Sequence, residues 1–266
     1  MQTFTHRDIS LFCTIQAMGQ YQGKLAEGQT LKMCKHSRIV IFPFSAQSKQ
    51  WVNTRENWRK ARRSKIEANT ERTDLADYEF FTFDGPSKKR LTERLQSCIG
   101  PNEVIYIFGH CAPGSTIISK EASADSESIS ALVLARTLKK DVLLNRSFAG
   151  KIKIYGCNSA LPSGTKRSFA HSFACIMKLY LYHNCEIHGY AETLVDGYVG
   201  AHKIATSDSS VVEALNKMIQ RDEAFGTGID AKYNEDHVLR PSKFRQEIEV
   251  SEDMMREVVQ ELTPNK

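Results

Sequence analysis

The sequence predicts an α/β fold: a mostly parallel sheet with helices on both faces in a three-layer α/β/α arrangement, plus a C-terminal helical extension. Three observations carry this. Short apolar runs rich in Ile, Val, Phe and Tyr recur along the chain, as buried strands do. Helix-compatible stretches separate them, which favours parallel pairing over hairpins. Two of the runs, Val104-Ile-Tyr-Ile-Phe-Gly-His-Cys111 and Lys151-Ile-Lys-Ile-Tyr-Gly-Cys157, are matched, and each ends in Gly followed by a reactive side chain.

In chain order, residues 1–37 are mixed and Gly/Gln-rich and read as an N-terminal extension. Arg38 to Phe44 is the first strand, stopped near Pro43 because proline cannot donate to a ladder. Residues 45–78 are polar and helix-compatible, with a basic run from Arg55 to Lys65 interrupted by Trp58. Glu79 to Asp84 is a second strand ending at Gly85-Pro86. Ser87 to Cys98 reads as a helix with Ser87 as its cap, and Gly100-Pro101-Asn102 turns the chain into the His110 strand. Ser128 to Lys140 is a helical pattern long enough to cross back over a sheet to the Cys157 strand. A Ser/Pro/Gly loop over 158–165, a helix from Ser168 to Tyr182 and a strand from Cys185 to Tyr190 follow. Residues 38–205 thus form one α/β domain. The remainder, 206–266, packs on it as an extension, with helices at 211–224 and 251–262 and an edge strand near Phe244 to Val250.

Composition narrows the function classes. The chain has 266 residues, 41% hydrophobic and 25% charged, as an ordinary globular domain does. Lys plus Arg number 36 against 31 Asp plus Glu, an excess that permits a basic patch but is no nucleic-acid signature. Seven cysteines scattered without tight spacing are not a disulfide framework. There is no Cys-x-x-Cys pair and no His-rich tract, so neither a zinc site nor another metal cofactor is expected. The N-terminus lacks the basic and apolar regions of a secretory signal, and no apolar run approaches the roughly 18 residues of a membrane span. These features predict a cytoplasmic protein, or one delivered into a host-cell cytosol without a signal peptide. Neither the phosphate-binding Gly-x4-Gly-Lys-Ser/Thr motif nor Gly-x-Gly-x-x-Gly follows any strand. Ser163 stands where a Cys-x5-Arg phosphatase loop needs Arg.

The two strand ends carry the chemistry. A right-handed strand–helix–strand unit brings parallel strands out on one edge of the sheet, the edge where open α/β sheets place ligands. His110 and Cys157 delivered there are a base and a nucleophile, since a thiol needs a proton acceptor to act at neutral pH. Gly109 and Gly156 let the backbone turn at each reactive residue. The amides of Cys111 and Cys157 are the donors available to a tetrahedral oxyanion. Asp84, at the end of the second strand, reaches the same edge as an orienting or substrate-binding carboxylate, or else caps a loop. Ser159, Glu192 and Asp196 are candidates to line a substrate pocket. Arg55, Arg59, Arg62 and Arg63 form either a solvated helix face or an anionic-ligand site.

A strand ending in Phe-Gly-His-Cys-Ala-Pro-Gly and another ending in Tyr-Gly-Cys-Asn-Ser-Ala resemble the caspase-like cysteine peptidases of clan CD. They are most similar to bacterial toxin and effector protease domains. His precedes Cys, at the interval of about 50 residues found in caspases, and the likeness covers residues 38–205. It implies a dyad in which Cys157 attacks a peptide carbonyl of a protein substrate and His110 serves as acid and base. It also implies a pocket for one substrate side chain and, by analogy with the toxin domains, activation by an inositol polyphosphate at basic residues. Such peptidases commonly have Gly directly after the His, where this chain has Cys111, and the Gln-Ala-Cys signature of caspases is absent. The alternatives are a catalytically impaired caspase-like binding module and a thiol acyltransferase using the same dyad.

Overall fold

The computed structural model describes residues 38–68, 77–199, 202–206, 210, 213 and 241–263. The expected N-terminal extension lies outside the described residues, as does almost all of the helix expected at 211–224.

The centre is a six-stranded sheet built from β1 (Arg38–Phe42), β2 (Tyr78–Thr82), β3 (Val104–Phe108), β6 (Lys151–Tyr155), β7 (Glu186–Tyr190) and β10 (Arg245–Glu247). Its order is β10-β7-β6-β3-β1-β2. All pairings are parallel except β10 on β7. The apolar runs form buried strands because both faces are covered. Two short hairpins lie outside the sheet: β4 (Ile117–Ser119) with β5 (Ser128–Ser130), and β8 (Leu194–Val199) with β9 (His202–Ala205). Neither hairpin follows from the apolar pattern, and β5 occupies what reads in sequence as the first turn of the crossover helix.

Five helices complete the described fold: α1 (Lys49–Ala68), α2 (Gly85–Gln96), α3 (Ala131–Lys140), α4 (Phe169–Leu179) and α5 (Glu252–Leu262). The path from β1 to β2 runs one way, and every later crossover runs the other. Right-handed connections therefore place α1 on one face and α2, α3 and α4 on the other.

Side chains bear this out. Trp51 of α1 stacks on Phe42 at 4.9 Å, and Trp58 meets Tyr106 and Tyr155 edge-on at 5.2 and 5.0 Å. On the opposite face the Arg90 guanidinium of α2 lies 5.8 Å from the Phe81 ring centre. A Cβ on Gly189 would come within 2.8 Å of Ala170 on α4.

The helix ends follow their caps. Ser130, Ser168 and Ser251 accept from the amides of Val133, His171 and Met254, each satisfying a donor of the first turn. Ser87 does not cap α2 as its sequence position suggests. The helix starts earlier, after Asp84, and the Ser87 hydroxyl accepts from Thr82 N–H at 2.8 Å. Gly85 and Pro86 are helical residues here, consistent with the tolerance of proline in a first turn.

Candidate active site

The strand order reverses between β1 and β3, and the crevice outside the carboxyl ends at such a point is where these sheets bind ligands. His110 leaves β3 at that point. Cys157 leaves β6, the hydrogen-bonded neighbour of β3, with Phe108 and Tyr155 in register just before the two reactive residues. Both side chains are partly exposed.

Each reactive residue is gripped by a hairpin. His110 pairs with Ser119 through two amide–carbonyl bonds of 2.8 Å. Its own amide is thereby spent, while those of Cys111 and Cys157 remain the candidate donors to an oxyanion. Cys157 stands in a tight turn closed by Ser159 N–H to Gly156 O at 3.3 Å, and Asn158 in that turn has φ 53°. The Leu194 amide donates to Cys157 Sγ at 3.3 Å. Ser119 and Leu194 act through backbone atoms, so no side-chain signal in the sequence points to them.

Gly109 and Gly156 serve a purpose different from the expected sharp turning, since neither has a positive φ. A Cβ on Gly156 would stand 2.7 Å from Gly109 O and 3.3 Å from Cys111 Cβ. One on Gly109 would stand 3.2 Å from Ser119 O. The glycines let the two strand ends approach backbone to backbone. Cys111 fills the remaining space, with its thiol directed to the carbonyls of Ala112 and Ile117 at 3.6 and 3.8 Å.

Burial sets the charge states. It lowers the His110 pKa, opposed by the charge of Glu121, so the imidazole is neutral at pH 7 and ready to accept a proton. Burial raises the Cys157 thiol, opposed by amide hydrogen bonds that include Leu194 N–H. Burial and the neighbouring Cys157 push the Cys111 thiol up to about 12. The resting pair is thus a neutral thiol and a neutral imidazole, and ionising the sulfur needs a base.

The other candidates scatter. Ser159 is fully buried; its hydroxyl donates to Ile154 O at 2.8 Å and accepts from Tyr190 N–H at 3.0 Å. It braces the Cys157 turn and faces no groove. Asp84 follows β2, separated from β3 by β1, and accepts from the Ala46 amide at 3.2 Å and from the Thr82 hydroxyl. It is the loop-holding carboxylate, and these hydrogen bonds hold its pKa below the usual range. Glu192 is partly exposed beside the Cys157 turn, where its carbonyl accepts from Asn158 N–H at 3.1 Å. The Asp196 side chain lies outside the described residues.

The basic run on α1 divides. Arg59 pairs with Glu56 at 2.8 Å and lies over Phe80, and Arg62 pairs with Asp77 at 3.0 Å. Arg63 is exposed, and Arg55 buries its Nε without a hydrogen-bond partner among the described residues. Two of the four guanidinium groups are thus engaged within the protein, and the described contacts draw no anion-binding cluster from the run.

No protein-family model and no curated protein matches this sequence. Among the described residues no helix is long and apolar enough to cross a membrane.

Proposed function

We propose that the chain is a caspase-like cysteine endopeptidase acting on a protein substrate. Cys157 Sγ attacks the scissile carbonyl as His110 takes its proton. His110 returns that proton to the leaving amine, and water then resolves the thioester. The observation that carries this reading is the departure of His110 and Cys157 from adjacent, in-register parallel strands at the switch point of the sheet. The neutral imidazole supports it further, because burial raises the thiol, the sulfur therefore requires a base, and His110 is carried by the neighbouring strand end.

The test is alkylation of the folded chain with iodoacetamide at pH 7, read by peptide mass spectrometry. Cys157 labels ahead of the buried Cys98, Cys175 and Cys185, and His110→Ala slows that labelling about tenfold or more. Cleavage of a denatured protein mixture is then lost in Cys157→Ser. Uniform labelling of all thiols, insensitive to His110, rejects the dyad.

A specific feature favours the second reading, a catalytically impaired binding module. Cys111 stands where such peptidases commonly have Gly, and its Cβ would lie 3.3 Å from a Cβ on Gly156, at the junction of the two strand ends. That reading predicts selective labelling at Cys157 without cleavage. An acyltransferase labels identically but passes the acyl group to an added amine in preference to water.

A further inference from the structure

At the amino-terminal end of β7, the edge of the sheet opposite the dyad, strand geometry gathers three metal-ligating side chains. Glu186 and His188 are two apart on β7 and share a face, and Glu247 of β10 is the direct cross-strand partner of His188. One ligand atom from each lies within 4.8 Å of the other two. His188 Nε2 stands 3.2 Å from Glu186 Oε2, a separation suited to two ligands about 2 Å from a shared ion. His188 is only 5% exposed, and the described partner of its ring is Glu186 Oε2, on Nε2. A cation is the occupant that both carboxylates and an imidazole lone pair can share.

We propose that Glu186, His188 and Glu247 bind a divalent transition-metal ion of the zinc type, which clips the three-residue edge strand β10 to β7. Two carboxylates and one imidazole leave a fourth position for water. Lys151 bonds one Glu186 oxygen, Oε2, so the ion competes with it there or takes the other oxygen. Lys153 and Arg245 stand on the same face and oppose a cation, which sets the affinity below that of a site without them.

Titration of the full chain with Co(II) tests this, read by visible d–d absorption with zinc as competitor. One equivalent of a low-symmetry site without sulfur-to-metal charge transfer is expected. Glu247→Gln, at an exposed position, weakens binding tenfold or more, and zinc raises Tm in the parent but not in this variant. Binding unchanged in Glu247→Gln overturns the proposal. So does a spectrum with thiolate charge transfer that disappears in Cys157→Ser, which assigns the metal to the dyad instead. Neither outcome depends on peptidase activity.

Discussion

Gly156 is the residue at which the candidate site is tightest. A methyl group there meets the Gly109 carbonyl at 2.7 Å, and backbone cannot rotate away as a flexible side chain would. Gly156→Ala is therefore expected to cost about 1–3 kcal/mol by overpacking, measured by denaturant unfolding. It should also slow Cys157 alkylation, because the strand ends are forced apart. Ser159→Ala acts from the other side of the turn. It leaves Ile154 O and Tyr190 N–H without their buried partner, and a loss of about 1–3 kcal/mol is expected in the same assay. At this scale the sequence already placed His110 and Cys157 correctly at the ends of adjacent strands, because reactive side chains after apolar runs are visible as letters. Ser159 reads in sequence as a candidate pocket residue, whereas its buried bracing role depends on which atoms surround the turn. The backbone grips of Ser119 and Leu194 have no side-chain signature at all.

Elements were legible where period and length agreed. The five parallel strands and α4 follow from apolar runs and helical spacing, and Ser168 and Ser251 sit where caps belong. What escaped was short and paired non-locally. Ile117–Ser119 and Ser128–Ser130 are three-residue strands whose pairing depends on closing an eight-residue loop and on the His110 bridge. The letters of Ser128–Ser130 alone favour the helix that begins one residue later. Arg94 shows how elements so different in legibility are fastened together. From α2 it binds Glu79 of β2 at 2.9 Å and Glu103, in the turn before β3, at 3.0 Å. Glu103 is only 6% exposed. Arg94→Ala removes the cation and leaves that carboxylate buried and unpaired, so a loss of about 3 kcal/mol or more is expected. Arg94→Ala combined with Glu103→Gln should recover part of it, and a double-mutant cycle in urea measures how much.

Across the whole molecule, burial of ionisable groups makes stability depend on pH in two opposite windows. His110, His171 and His188 all have pKa values lowered below 6.5, chiefly by burial. The unfolded chain therefore takes up protons first as pH falls, and stability declines from about pH 6.5 downward. This precedes the loss from Asp84 and Glu186, whose lowered pKa values stabilise the fold above the ordinary carboxylate range and fail only below it. Lys153 works at the alkaline end. It is 7% exposed, and burial together with Arg245, Arg38 and Lys151 lowers its pKa from 10.5 to about 8. Below pH 8 the folded protein carries the full cost of a charged, dry ammonium. Between about 8 and 10.5 the folded state sheds that proton while the unfolded chain retains it, so stability recovers as pH rises. Lys153→Met keeps an unbranched stem of similar length and removes the ammonium, which lies 5.1 Å from the Tyr106 ring centre. It is expected to stabilise the protein by about 1–3 kcal/mol at pH 7, with the advantage shrinking toward pH 10. Thermal unfolding of both proteins across that range decides it: an advantage that stays constant with pH would mean the gain comes from packing rather than from the buried charge.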